Sequence, residues 1–80
     1  MFPMAWDSGI IAVVAVNVRR LRKGLSLSQE ELGFVAKLDR TYVSLVERQK
    51  RNISISVLAR LAKALKVRPA ELVEPPPKRR

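Results

Sequence analysis

"SQEELGFVAKLDRTYVSLVER", residues 28–48, is the stretch on which the reading of the whole chain turns. Ser28 followed three residues later by Glu31 has the form of a capping box, in which each side chain satisfies the other's free backbone N–H. Leu32, Val35 and Ala36 then recur at helical spacing, so this half reads as a short helix that buries those three and ends near Lys37. Asp39 is a good N-cap for a second helix running from Arg40 to about Arg48. Val43 and Val46 are its inward positions, with Tyr42 at the margin. So short a connection does not let two helices run side by side, so they cross steeply. That is a helix-turn-helix arrangement.

In such an arrangement the second helix protrudes and can lie in a major groove with its first residues aimed at base edges. With Val43 and Val46 turned inward, Arg40, Thr41, Ser44, Leu45 and Arg48 turn outward. An arginine can donate two parallel hydrogen bonds to guanine O6 and N7, and an apolar side chain can meet a thymine methyl. Thr41 and Ser44 can reach a base or a phosphate. The competing reading is that Leu45 is partly buried and that Arg40 and Arg48 are ordinary surface charges.

The flanks read as more helix. Ile10, Val13, Val14, Val18 and Leu21 share one face, broken by the polar Asn17. Arg19, Arg20, Arg22 and Lys23 lie beside that face, and Gly24 is a stop. Asp7 or Ser8 is a candidate cap for this first helix, which leaves residues 1–9 as an irregular N-terminal arm. A fourth helix starts at Ser54 or Ser56, with Ile55, Leu58, Leu61, Ala62 and Leu65 facing in. Pro69 suits the first position of a fifth, "PAELVE". "PPPKRR" cannot continue a helix, so residues 75–80 read as a flexible basic tail. The expected fold is all-α: a compact five-helix bundle spanning residues 10–74, with no strand signal.

Composition narrows the function. In 80 residues there are 16 lysines and arginines against 7 acids, a net charge of +9. The pI is near 11.2, the range of nucleic-acid-binding domains. With no cysteine and no histidine, disulfides, thiolate metal sites and the commonest catalytic and metal-ligating side chain are all excluded. No carboxylates pair in a way that suggests catalysis, so neither an enzyme nor a cofactor is expected. The four aromatics, Phe2, Trp6, Phe34 and Tyr42, are too few for base-stacking platforms. The apolar run over residues 10–16 is far short of the about 20 residues that span a bilayer. It also lacks the preceding positive charge of a signal peptide, so a cytoplasmic location is expected. The expected partners are double-stranded DNA and a second copy of the chain, with no membrane and no small-molecule ligand.

Residues 17–74, "NVRRLRKGLSLSQEELGFVAKLDRTYVSLVERQKRNISISVLARLAKALKVRPAELVE", resemble the Cro/phage-repressor (XRE) helix-turn-helix family, a lambda-repressor-like DNA-binding domain. Within it, "LDRTYVS.VER..RNISI" looks most like the restriction–modification controller proteins. The resemblance implies that Gln29 contacts a phosphate, and that Arg40 and Thr41, with Ser44 and Leu45 a turn later, read bases. It implies that Tyr42, Arg48, Arg51 and Asn52 grip the backbone, and that Arg22 pairs with Glu47. Where the family commonly has glycine, this chain has Lys37, Gln49 and Lys66, and Ser26 stands where Gly24 would be expected. Each either adopts a left-handed conformation at a cost of about 1 kcal/mol or keeps negative φ and shifts the crossing angle. Where the family usually has alanine in helix 2, this chain has Gly33, at an expected cost of about 0.5–1 kcal/mol.

One reading helix covers only a few base pairs, so a two-fold dimer on a palindromic operator is expected. Leu65, Val67, Leu72 and Val73 are the candidate dimer surface, or else they close the core beneath helix 1. The apolar "MFPMAW" at the start either packs on its own domain or bridges to a neighbour. Two further readings remain: an antitoxin-like module whose main partner is a protein, and a binder of RNA or anionic membrane.

Overall fold

A computed structural model describes residues 5–77, with side chains from Gly9 onward. It contains α1 (Ala5–Gly24), α2 (Gln29–Ala36), α3 (Arg40–Glu47), α4 (Ile55–Ala64) and α5 (Pro69–Val73), and the described residues include no strand. No helix among them is long and apolar enough to cross a membrane. α1 starts earlier than expected, so Asp7 and Ser8 lie inside the helix instead of capping it. Nothing between Ala5 and Gly9 breaks a helix, because a glycine costs about 1 kcal/mol relative to alanine but keeps its backbone donor. The rest of the expected arm, residues 1–4, and the end of the basic tail, residues 78–80, lie outside the described residues.

The local signals set the other boundaries. Ser28 Oγ accepts from the Glu31 N–H at 3.0 Å, and Glu31 Oε1 accepts from the Ser28 N–H at 2.7 Å. Asp39 accepts from the Thr41 N–H at 2.8 Å. Ser54 rather than Ser56 caps α4, accepting from the Val57 N–H at 3.1 Å. Pro69 opens α5, and the Arg68 N–H donates to Glu71 at 3.0 Å.

The core is one cluster. Val18, Leu32, Val43, Leu61 and Leu72 are fully enclosed, and Val14, Ala36, Val46, Val57, Ala62, Ala64 and Leu65 surround them. Two expected core residues are outside it. Val35 is 52% exposed and Ile55 86% exposed. The buried face of α2 is made by Leu32, Gly33 and Ala36, and at about 100° per residue Val35 is turned away from its centre. Ile55 is the first residue of α4, just past its cap, and Val57 takes the inward place instead.

For Leu65 and Leu72 the core-closing reading holds and the dimer-surface reading does not. They are 2% and 0% exposed, buried where α5 packs on α1 and α4, so they close this chain's own core and cannot present a dimer surface. Val67 packs partly buried against that core, and only Val73, at 38%, is exposed. The polar break in α1 has a structural task. Asn17 is completely buried; its Nδ2 donates to the carbonyls of Leu72 (3.0 Å) and Glu74 (2.7 Å), and its Oδ1 accepts from Arg20 (3.0 Å). It ties α1 to the end of α5, where helix carbonyls would otherwise lack partners.

Of the two conformations open to the non-glycine turns, the left-handed one is adopted at all four. Ser26, Lys37, Gln49 and Lys66 have φ of 59°, 60°, 61° and 63°. The same device recurs at each: the next residue's N–H returns to the carbonyl five residues back. These bonds are Leu27 to Arg22 (3.1 Å), Leu38 to Gly33 (2.7 Å), Lys50 to Leu45 (2.8 Å) and Val67 to Ala62 (3.0 Å). This is the Schellman closure, and three of the four following residues (Leu27, Leu38, Val67) are apolar, as that closure favours. The hydrogen bonds offset a strain of about 1–2 kcal/mol per turn. Gly33 has a reason of its own. A Cβ there would stand 2.6 Å from the Leu38 carbonyl oxygen, so the turn after α2 folds closely over the place where a side chain would be.

Candidate nucleic-acid interface

A turn of three residues, 37–39, joins α2 to α3, and α3 packs against both α1 and α2. Val43 and Val46 anchor it in the core, as the sequence requires. Arg40 and Thr41 are exposed at its start, and Ser44 and Leu45 are half-buried one turn on. Leu45 thus offers part of its surface while the rest packs inward. Arg48 and Asn52 are exposed beyond the helix, and Tyr42 is half-buried.

Three elements meet on one buried carboxylate. The Glu47 side chain is 3% exposed and receives Arg22 Nε at 2.6 Å and Arg22 Nη2 at 3.0 Å. Gln29 Nε2, from the first turn of α2, donates to the same carboxylate at 3.1 Å. Arg22 Nη1 adds a bond to the Leu27 carbonyl at 2.8 Å. A buried ion pair is tolerable only when its remaining donors and acceptors are satisfied, and here they are. The hydrogen bond to Glu47 raises the Arg22 pKa above its ordinary value, with the attraction between the charges adding to it and desolvation opposing. The pair expected from the sequence is therefore present, and it also holds Gln29 in place. That link has no signal in the sequence, because it needs α1, α2 and α3 to converge.

An open cleft of about 380 Å³ lies beside this network, lined by Arg22, Ser28, Gln29, Glu30 and Arg40. It joins the proposed phosphate contact on α2 to the first residue of α3. Free backbone N–H groups at a helix start favour an anion. On the other flank, the Arg51 guanidinium stacks over the Tyr42 ring, 4.6 Å from its centroid. Stacking restricts both side chains. Gln29 thus shares a cleft with the first residue of α3, and Arg51 is stacked on a side chain of the same helix.

Comparison with known proteins agrees with this geometry. The helix-turn-helix family HTH_3 matches residues 18–72. A hypothetical transcription factor of Neisseria meningitidis serogroup B is 47% identical over 73 residues, which is 91% of this chain and 69% of that protein. Control protein C.SmaI of Serratia marcescens is 49% identical over 53 residues, covering 66% of this chain and 63% of its own length. In three dimensions, the restriction–modification controller protein C.AhdI from Aeromonas hydrophila superposes with a TM-score of 0.75 at 44% identity, over 78% of this chain and 94% of that one. With α2 and α3 joined by a three-residue turn and the match running from α1 to α5, the chain belongs to the helix-turn-helix family and is a DNA-binding transcriptional regulator.

Proposed function

We propose that this regulator works in the cytoplasm as a two-fold dimer, reading a palindromic operator with α3 of each copy, and that it controls a restriction–modification operon. The observation that carries the reading is the exposed start of α3, Arg40 and Thr41, with Arg40 lining one cleft with Gln29. Arg40 and Thr41 read bases, and Ser44 and the exposed part of Leu45 contact the next step. Gln29, Tyr42, Arg48, Arg51 and Asn52 hold the phosphate backbone. The choice of operon is supported by the control proteins among its relatives, C.SmaI and C.BamHI.

Selection of binding sites from random duplex DNA tests this, and the expected product is a two-fold repeat with half-sites about one helical turn apart. Arg40→Ala is expected to cost about 1–3 kcal/mol on that duplex and to relax the preference at one base pair. Arg48→Ala or Arg51→Ala is expected to weaken all duplexes alike and to lower the slope of log affinity against log salt by about one. If Arg40→Ala leaves base preference unchanged, α3 is not read as assigned here.

The dimer surface lies elsewhere than at Leu65 and Leu72. Ile10, Ile11, Val14, Val46, Leu58 and Val73 line an apolar groove of about 130 Å³, and the 86%-exposed Ile55 stands at its edge. A knob and a groove on one face are self-complementary, as a two-fold contact requires. Ile55→Asp is expected to raise the dimer dissociation constant at least tenfold in sedimentation equilibrium, while the melting temperature of the monomer changes little. Unchanged association would remove this face from consideration.

A further inference from the structure

The turn between α2 and α3 sets where Arg40 and Thr41 point, and it is held from two sides. From within α2, Gly33 lets the Leu38 carbonyl approach to a distance a Cβ would forbid. From α4, the Arg60 side chain reaches across: Nε donates to the Ala36 carbonyl at 3.1 Å, and Nη2 donates to the Lys37 carbonyl. These two carbonyls end α2, and neither accepts a backbone hydrogen bond among the described residues. Lys37 is the left-handed residue of the turn, in the conformation that favours glycine. We propose that Arg60 is a positioning residue for base reading, clamping the end of α2 so that a non-glycine turn keeps α3 at the crossing angle the groove needs.

Two observations and the chemistry of the guanidinium carry this. Arg60 lies in a groove with Val35, Lys37, Lys63 and Ala64, a different concavity from the cleft that contains Gln29 and Arg40. Among the described residues it forms no ion pair; its donors go to neutral carbonyls instead. A guanidinium presents adjacent N–H groups in a fixed plane, so bonds to two successive carbonyls define the turn more tightly than one mobile ammonium could. A cation at the end of α2 also suits the negative end of its dipole. The chain of effect runs from α4 through Ala36 and Lys37 to Asp39, which caps α3 by accepting from the Thr41 N–H.

The inference rests on the DNA-reading function proposed above. Its test uses the full chain, a duplex selected by the wild type and a random duplex of equal length, each at two salt concentrations. Arg60→Ala, Arg60→Lys, Lys37→Gly and the double variant Arg60→Ala/Lys37→Gly are compared, with thermal melts confirming that each is folded. Arg60→Ala is expected to lower the ratio of selected to random affinity about tenfold, the low end of the cost of one misread base pair. Its affinity for random duplex and its salt slope stay at wild-type values. Arg60→Lys recovers part of the ratio. The double variant recovers most of it, because glycine adopts the left-handed turn without the clamp.

An unchanged ratio in Arg60→Ala overturns the proposal. So does equal weakening on both duplexes with a salt slope lowered by about one, which makes Arg60 a phosphate contact. A double variant no better than Arg60→Ala does the same, since the arginine then acts on something other than the turn. A wild-type chain with no preference for any selected duplex overturns the functional reading itself, and this inference with it.

Discussion

Arg22→Ala is expected to destabilise the protein by about 3–5 kcal/mol, the loss typical when one partner of a buried ion pair is removed. Glu47 would be left with a charged carboxylate in a site where its side chain is 3% exposed. Only the Gln29 amide would still donate to it. The Leu27 carbonyl would lose its donor from Arg22 at the same time. Folded domains have only about 5–15 kcal/mol of stability in all, so much of the variant is expected to be unfolded at 37 °C. Urea unfolding followed by circular dichroism measures the loss directly. The double variant Arg22→Met/Glu47→Leu is expected to recover most of the stability, because apolar replacement of both partners removes the stranded charge. It should not recover DNA affinity, since Gln29 would have lost its anchor. A loss below about 1 kcal/mol in Arg22→Ala would mean that the carboxylate reaches water, and that the three-helix network is not what holds α3. The pH dependence has a definite sign. Arg22 has a raised pKa, so its stabilising contribution is complete below its ordinary value and is lost only as strongly alkaline solution titrates the folded form. Arg22 therefore contributes no change in stability across the neutral range.

Leu72→Ala is expected to cost about 2–5 kcal/mol, as a buried leucine truncated to alanine leaves a cavity. Leu72 is completely enclosed and lies on the five-residue α5, whose attachment to α1 and α4 is otherwise the Asn17 bonds and a few apolar contacts. The informative part is the dependence on protein concentration. If Leu72 fills the core of its own chain, the difference from wild type is the same at every concentration. If it faced a second copy, the difference would shrink towards zero in dilute, monomeric protein. Val73, next to it but 38% exposed, is the control: Val73→Ala is expected to change monomer stability by no more than about 0.5 kcal/mol.

The residues that could be read in advance share one property, which is short range. A cap joins atoms two or three residues apart, so Ser28 with Glu31, Asp39 with Thr41, and Pro69 at its helix start all formed as expected. The inward stripe of α3 was legible as well, because eight residues with Val43 and Val46 three apart allow little choice of face. The Arg22–Glu47 pair came from the family's pattern rather than from spacing, and its geometry is present. Val35 and Ile55 were not placed correctly, and the two readings of Leu65 and Leu72, dimer surface or own core, could not be separated in advance. Each is apolar and in helical register, and whether such a residue is buried depends on which other helix packs over it.

The chain's order of residues therefore specified the five helices, the starts of α2, α3 and α5, the basic balance and the short connection that marks a helix-turn-helix. Those features follow from bonds and periodicities within one or two turns of chain. Three-dimensional packing decided the rest. It committed Asn17 to the carbonyls of α5, and it gathered α1, α2 and α3 around the Glu47 carboxylate. It closed Leu65 and Leu72 into the core and brought Arg60 across to the end of α2. Lys37 in its left-handed turn shows why the two kinds of information differ. Local propensity disfavours that conformation for lysine, and it is held by a hydrogen bond five residues back and by a side chain 23 positions ahead.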